Sequence, residues 1–208
     1  IFHLSDEQMN ILYSSRIPRT VSILLSGSSL ALSGLIMQQM MQNKFVSPTT
    51  AGTMEWAKLG ILLSLLFFPN GHILIKLLFA VVLSIVGSFL FVQLINLIRA
   101  KDVIFVPLLG IMIGGILSSF TTFVALRTNA LQSIGNWLTG NFAVITSGRF
   151  EVLYLTIPLL ILAFVFANHF TIAGMGKDFS HNLGVSYEKI IKIALFITAT
   201  LTALVVVT

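Results

Sequence analysis

An all-α polytopic membrane protein with about six transmembrane helices is the fold that these 208 residues predict. Hydrophobic residues make up 56% of the chain and charged residues only 9%, against roughly 25% charged in a soluble domain. Mean hydropathy is +0.99. A soluble fold of this length cannot hide so much apolar surface, so lipid must solvate most of it. The charges are also separated by runs close to the ~20 apolar residues that a bilayer-crossing helix needs. Runs that long and continuous do not suit barrel strands, whereas a helix satisfies its own backbone groups in hydrocarbon.

The uncharged or nearly uncharged runs fall at 17–41, 52–68, 73–98, 103–126, 150–168 and 189–208. The first opens on Arg16-Ile-Pro-Arg19, and no charge follows from Thr20 to Gln42. Proline is tolerated in the first turn of a helix, so Pro18 is expected to mark the start of this span. A cation near a helix N-terminus is mildly disfavoured by the dipole, and two arginines there suggest a further reason for their presence. Gly27-x-x-x-Ala31 and Ser29-x-x-x-Ser33 set small residues one turn apart, as close helix packing requires. The second run carries Glu55 and Lys58, within pairing distance if helical. Two readings of them stand side by side, a polar contact at a pathway or gate and a mutually neutralised pair.

Pro69-Asn70-Gly71 separates the second and third runs. The fourth contains Gly110-x-x-x-Gly114, then Ser118, Ser119, Thr121 and Thr122, whose hydroxyls can bond across helices. Residues 127–149 are polar but uncharged between Arg127 and Arg149, with a short surface helix expected from Ala130 to Leu138 and Trp137 at the interface. The fifth run leads into 172–192, where Gly176 and Gly184 bracket a short polar segment sized for one or two helical turns. The sixth run ends the chain at Thr208, and both termini are expected to be cut.

Six alternating passages place the N-terminus, 69–72 and 127–149 on one side. The other side receives 43–48, 99–102 and 169–188. Lys44, Arg99, Lys101, Lys177, Lys189 and Lys192 then oppose Arg16, Arg19, Lys76, Arg127 and Arg149. That balance does not set an orientation.

Several chemistries are excluded. The chain has no cysteine, and its four histidines (His3, His72, His169 and His181) lie far apart without metal-ligand spacing. The net charge of +5 is scattered rather than clustered, which argues against nucleic acid. Leu25-Ser26-Gly27-Ser28-Ser29 looks a little like the signature loop of ABC-transporter ATPases, but no phosphate-binding Gly-x-x-x-x-Gly-Lys-Ser/Thr occurs. No nucleophile and base stand at a recognisable spacing, so an intramembrane enzyme is disfavoured.

The chain resembles the permease subunits of ABC importers for iron-siderophore, haem and cobalamin. The resemblance begins at Arg16-Ile-Pro-Arg19 and continues through Leu30-Ala31-Leu32-Ser33-Gly34, Gln38, Asn43 and Pro48. It resumes at Leu183 and the Gly176-x7-Gly184 segment. Residues 47–60, SPTTAGTMEWAKLG, look most like the catecholate-type siderophore branch.

That resemblance implies a single transmembrane permease domain over 1–208, a fragment of a subunit with roughly ten helices. The first helix and the C-terminal helices of the family would be missing from it. It implies a dimer with a second permease subunit, identical or paralogous, in the bacterial cytoplasmic membrane. Two cytoplasmic ATPases would hydrolyse the ATP, and an extracytoplasmic siderophore-binding protein would deliver the substrate. The chain itself would bind no cofactor. Arg16 and Arg19 would lie outside and dock acidic residues of the binding protein. Gly176, Lys177, Asp178, Leu183 and Gly184 would lie in the cytoplasm and couple to an ATPase. Lys177 stands where the family usually has an acid, and Ser180 where it has alanine. On physics alone, an ion- or proton-coupled secondary transporter or channel is the alternative, although the runs show no obvious inverted repeat.

Overall fold

A capping box starts the first helix. Ser5 accepts the Gln8 N–H at 3.4 Å, and the Gln8 side chain accepts the Ser5 N–H at 3.1 Å. The computed structural model describes residues 5–97, 104–132, 134–135, 140–146, 148 and 150–208. Helix α1 (Asp6–Ile11) continues through a π-helical turn at Leu12–Arg16 into α2 (Ile17–Met41). Together they form one helical run of 36 residues. Pro18 therefore does not mark the start of a span. It sits just inside α2, after a widened turn that accommodates the missing N–H and the clash with the Ser14 carbonyl. Arg16 and Arg19 consequently lie within a helix, and the dipole at a helix N-terminus does not bear on them.

Among the described residues, four helical runs are long and apolar enough to cross a membrane: Asp6–Met41, Ile73–Leu97 (α4), Phe105–Arg127 (α5) and Tyr187–Val207 (α9). The run expected at 150–168 is not one straight helix. A 3-10 segment at Phe150–Leu155 precedes α6 (Thr156–Val165), where Pro158 occupies the first turn, and α7 (Ala167–Gly174) bends away by 56°. Counted as one broken span, this pair makes a fifth crossing. No proline or glycine marks the bend at Phe166, and nothing in the sequence accounts for it.

The run expected at 52–68 yields α3 (Thr53–Phe67), only 15 residues. At 1.5 Å per residue that is ~22 Å, short of the ~30 Å hydrocarbon core. The run itself stops at Pro69, and before it the segment 43–52 turns inward instead of joining α2 to α3 at the surface. Val46 and Ala51 are buried with Met37, Phe91, Ile95 and Val106. Ser47, Thr49 and Thr50 hydroxyls close the turn on each other, and Gly52 enters α3 at φ +73°. Gly110 makes this possible, because a Cβ there would overlap the Thr50 carbonyl. Gly110→Ala should therefore expel the loop and sharply reduce folded protein in membranes; accumulation at the unsubstituted level would overturn this account.

The core is built on α9, whose apolar window is 61% buried, against 22–33% for the other three long runs. Ile190, Ala194, Ile197 and Leu201 pack with Ile36 and Met40 of α2, Ala163 of α6, and Phe170 and Ala173 of α7. On the opposite face Ala203 and Val207 join Ala57, Ile61 and Ala80 of the α3–α4 hairpin. There Gly60 lets α3 approach α4 so closely that a Cβ would lie 2.8 Å from the Ala80 Cα.

Small residues serve packing less uniformly than their spacing suggests. Ser29 and Ser33 are buried, together with Ser22 and Ser26, whereas Gly27 and Ala31 face outward with no atom within 4 Å of a Gly27 Cβ. The Thr121 and Thr122 hydroxyls donate to Leu117 and Ser118 carbonyls of their own helix, not across to another. The expected surface helix after Ala130 is partly present. Residues 131–132 and 134–135 are helical, Ile134 is buried beside Leu62 and Ala125, and Trp137 lies outside the described residues.

Candidate functional site

Helix α2 organises two separate regions, one at each end. Arg16 closes the π-helical turn; its carbonyl accepts the Thr20 hydroxyl at 3.0 Å, while its guanidinium is exposed with no hydrogen bond or ion pair among the described residues. Arg19, one turn on, is also exposed, and its Nη2 donates to the Ala143 carbonyl at 2.9 Å. That bond ties the segment 127–149 to this end of α2. Ala143 is itself held by a turn in which its N–H donates to Asn141 Oδ1 at 2.9 Å. Two guanidinium groups on one outward face form a fork suited to carboxylates, with Arg19 half engaged and Arg16 free.

Gln42, 23 residues beyond Arg19 and so ~34 Å along the helix, marks the other end. Its Nε2 donates to the Gly174 carbonyl at 2.9 Å, at the close of α7. From there Met175 leads to Gly176, at φ +108°, a conformation that L side chains rarely adopt. Helix α8 (Lys177–Asn182) follows. Gly184, at φ +73°, then ends it: its N–H donates to the His181 carbonyl at 3.0 Å, and the Val185 N–H reaches the Ser180 carbonyl at 2.9 Å. Each bracketing glycine is thus required by its backbone. Ser180 is buried, and its hydroxyl donates to the carbonyls of Gly176 at 2.8 Å and Ile172 at 3.2 Å, pinning α8 onto α7. An alanine there would lack both bonds.

Lys177 and Asp178 do not pair with each other. Lys177 Nζ lies 3.4 Å from Glu188 Oε1 at the start of α9, both side chains well exposed, while Asp178 projects from the first turn of α8. Leu183 is 54% exposed at the tip. Phe179, one turn earlier, is 50% exposed, and Met175 57%. The element therefore presents exposed apolar side chains on a hydrogen-bonded frame. Of the residues expected here, Gly176, Lys177, Asp178, Leu183 and Gly184, only Leu183 is a large apolar one; Phe179, four residues before it, is the neighbour that helical spacing adds.

Glu55 and Lys58 pair as their spacing predicts, Lys58 Nζ to Glu55 Oε1 at 2.9 Å, in the first two turns of α3. They belong to neither end. The Glu55 Cγ packs at Gly114, ~13 Å along α5 from Phe105, and Glu55 Oε2 is enclosed without a hydrogen-bond partner among the described residues. Among the described residues, no three His, Cys, Asp or Glu side chains gather to hold a metal.

Known proteins share this sequence and this fold. The petrobactin import system permease protein YclN of Bacillus subtilis (strain 168) is 49% identical over 208 residues, 100% of this chain and 66% of that protein. The ferric-anguibactin transport system permease protein FatD of Vibrio anguillarum (strain ATCC 68554 / 775) is 36% identical, over 94% of this chain and 62% of its own length. The ferric enterobactin transport system permease protein FepG of Escherichia coli (strain K12) is 30% identical, over 91% and 59%. This chain thus spans about three fifths to two thirds of the length of these three relatives. A solved metal-chelate type ABC transporter in an inward-facing conformation has the same fold, with a TM-score of 0.75 at 21% identity, covering 100% of this chain and 67% of that one. The sequence pattern of the FecCD transport family matches residues 1–208 throughout, and the chain belongs to that family.

Proposed function

We propose that this chain is part of the transmembrane subunit of an ABC importer that carries an iron-siderophore complex across the bacterial cytoplasmic membrane. The observation that carries the reading is the separation of two partner-type surfaces along one helix. Arg16 and Arg19 present cationic forks at one end of α2, and the 176–184 element presents Phe179 and Leu183 at the other. A passive wall worked from both rims needs this arrangement. In this reading the outer rim receives a siderophore-binding protein through acidic side chains, with Arg16 making the first contact and Arg19 exchanging the Ala143 carbonyl for a carboxylate. The inner rim receives one of two cytoplasmic ATPases, and a second permease subunit completes the pathway. The chain binds no cofactor and hydrolyses no ATP itself; the ATPases supply the energy.

The double substitution Arg16→Glu, Arg19→Glu tests the outer contact in the full permease. Both side chains are exposed, so the fold should survive. Capture of the loaded binding protein should weaken by about a hundredfold, as expected when two charge pairs across an interface are reversed. Added salt should blunt the difference between the variant and the unsubstituted permease. Unchanged capture and uptake would end the docking assignment.

A further inference from the structure

Helix α2 ends in an unusual cap. Gln42 adopts φ +49°, ψ +35°, the left-handed conformation in which glycine normally ends helices. Its N–H donates back to the Gln39 carbonyl at 3.2 Å and the Asn43 N–H reaches the Gln38 carbonyl at 3.1 Å, so the backbone motif is complete without any side chain. A side chain here adds backbone strain, and what this one obtains is the bond to Gly174. Gly174 is matched to it. A Cβ on Gly174 would lie 2.6 Å from Gln39 Oε1 and 3.1 Å from the Gln39 carbonyl oxygen, although the Gly174 backbone itself requires no glycine. Immediately behind this contact Ile36 and Met40 of α2 share a core with Phe170 and Ala173 of α7.

Gly176 interrupts the helical backbone between α7 and α8, but the Ser180 hydroxyl, donating to the Gly176 and Ile172 carbonyls, holds α8 on the end of α7 across that joint. We propose that Gln42 is a positioning residue. Its amide latches the end of α7, on which the 176–184 element is pinned, to the inner end of α2, so that a push on the element reaches the helix carrying Arg16 and Arg19 instead of being absorbed by sliding of α7 along α2. The inference rests on the reading of 176–184 as the ATPase-facing element. It adds a route through α2 and a residue that the sequence reading did not select.

The latch and a purely structural cap rank substitutions at Gln42 in opposite orders. A cap favours Gln42→Gly first and Gln42→Asn second, since both residues enter the left-handed region readily. The latch requires a donor that reaches Gly174. Glycine has none, asparagine is one methylene short, and Gln42→Glu keeps the shape but turns the donor into an acceptor. Gln42→Lys restores a donor. In the full permease, reconstituted with its ATPases and binding protein, substrate moved per ATP should fall about fivefold in the Gly, Asn and Glu variants, the factor equal to the ~1 kcal/mol of one hydrogen bond. Gln42→Lys should recover most of it. Gly and Asn variants coupling at the unsubstituted level would overturn the latch. Leu183→Asp, run in parallel, separates the two failures. If it uncouples while the Gln42 variants do not, only the latch falls; if it couples normally, the reading of 176–184 falls and the latch with it.

Discussion

Leu183→Asp, and separately Gly184→Val, should reduce substrate-stimulated ATPase activity in the reconstituted importer to the basal rate while leaving membrane insertion unchanged. Leu183 is 54% exposed, so an aspartate there is solvated and costs the isolated fold little. Against a partner cleft the same carboxylate is an unpaired charge in a desolvated contact. Truncating a central apolar anchor typically costs ~2 kcal/mol or more, about thirtyfold in affinity, and a charge in its place adds to that. Gly184 acts by geometry. A Cβ at this position meets nothing within 4 Å, but φ +73° is a conformation that a β-branched residue adopts only under strain. Valine should therefore release the turn that returns the chain through the Val185 N–H to the Ser180 carbonyl, and displace Phe179 and Leu183 together. Coupled ATPase activity in both variants would refute the assignment of 176–184. Loss of activity together with loss of membrane-inserted protein in both would mean that these residues serve folding instead.

The parts of this structure legible in the sequence are those set by solvent and by obligatory backbone geometry. Long uncharged runs had to become helices, and α4, α5 and α9 did so close to the expected bounds, whereas the first long run begins at Asp6 and not at Ile17. Gly176 and Gly184 were readable because a short element held between two spans needs left-handed turns at its ends. Opposite placement of Arg19 and Lys177 followed from alternation, and it appears here as two hydrogen bonds, one at each end of α2. The failures have a common origin in tertiary contact. The apolar run at 52–68 is expected to cross, yet α3 fills it with only 15 residues, and the 43–52 segment before it packs into the bundle against Gly110. Pro18 carried the usual sign of a helix start, but Ser5 and Gln8 had already begun one upstream and a π-helical turn absorbed the ring. Gln42 gave no signal, because its left-handed backbone and its partner 132 residues away exist only in the folded chain.

Lys58→Met should destabilise the permease far more than removal of both members of the ion pair. Each side chain keeps only about a fifth of its accessibility, 20% for Glu55 and 19% for Lys58, and Glu55 Oε2 already lacks a partner among the described residues. Taking away Lys58 leaves the carboxylate in an enclosed site with no compensation. Breaking such a pair costs ~3 kcal/mol here, the low end of what enclosed pairs show, since some solvent access remains. Glu55→Gln with Lys58→Met removes both charges in similar volumes and should stay within ~1 kcal/mol of the unsubstituted protein. Thermal loss of monodisperse permease in detergent reads both numbers; a Lys58→Met protein as robust as the starting one would show that the pair carries no strain. The stable double variant then decides between the two roles open to Glu55 and Lys58. Uptake at the full rate would make them a neutralised pair where α3 starts inside the bundle beside α5. A stable protein that no longer transports would place them on the pathway, since the fold would be intact and only the charges missing.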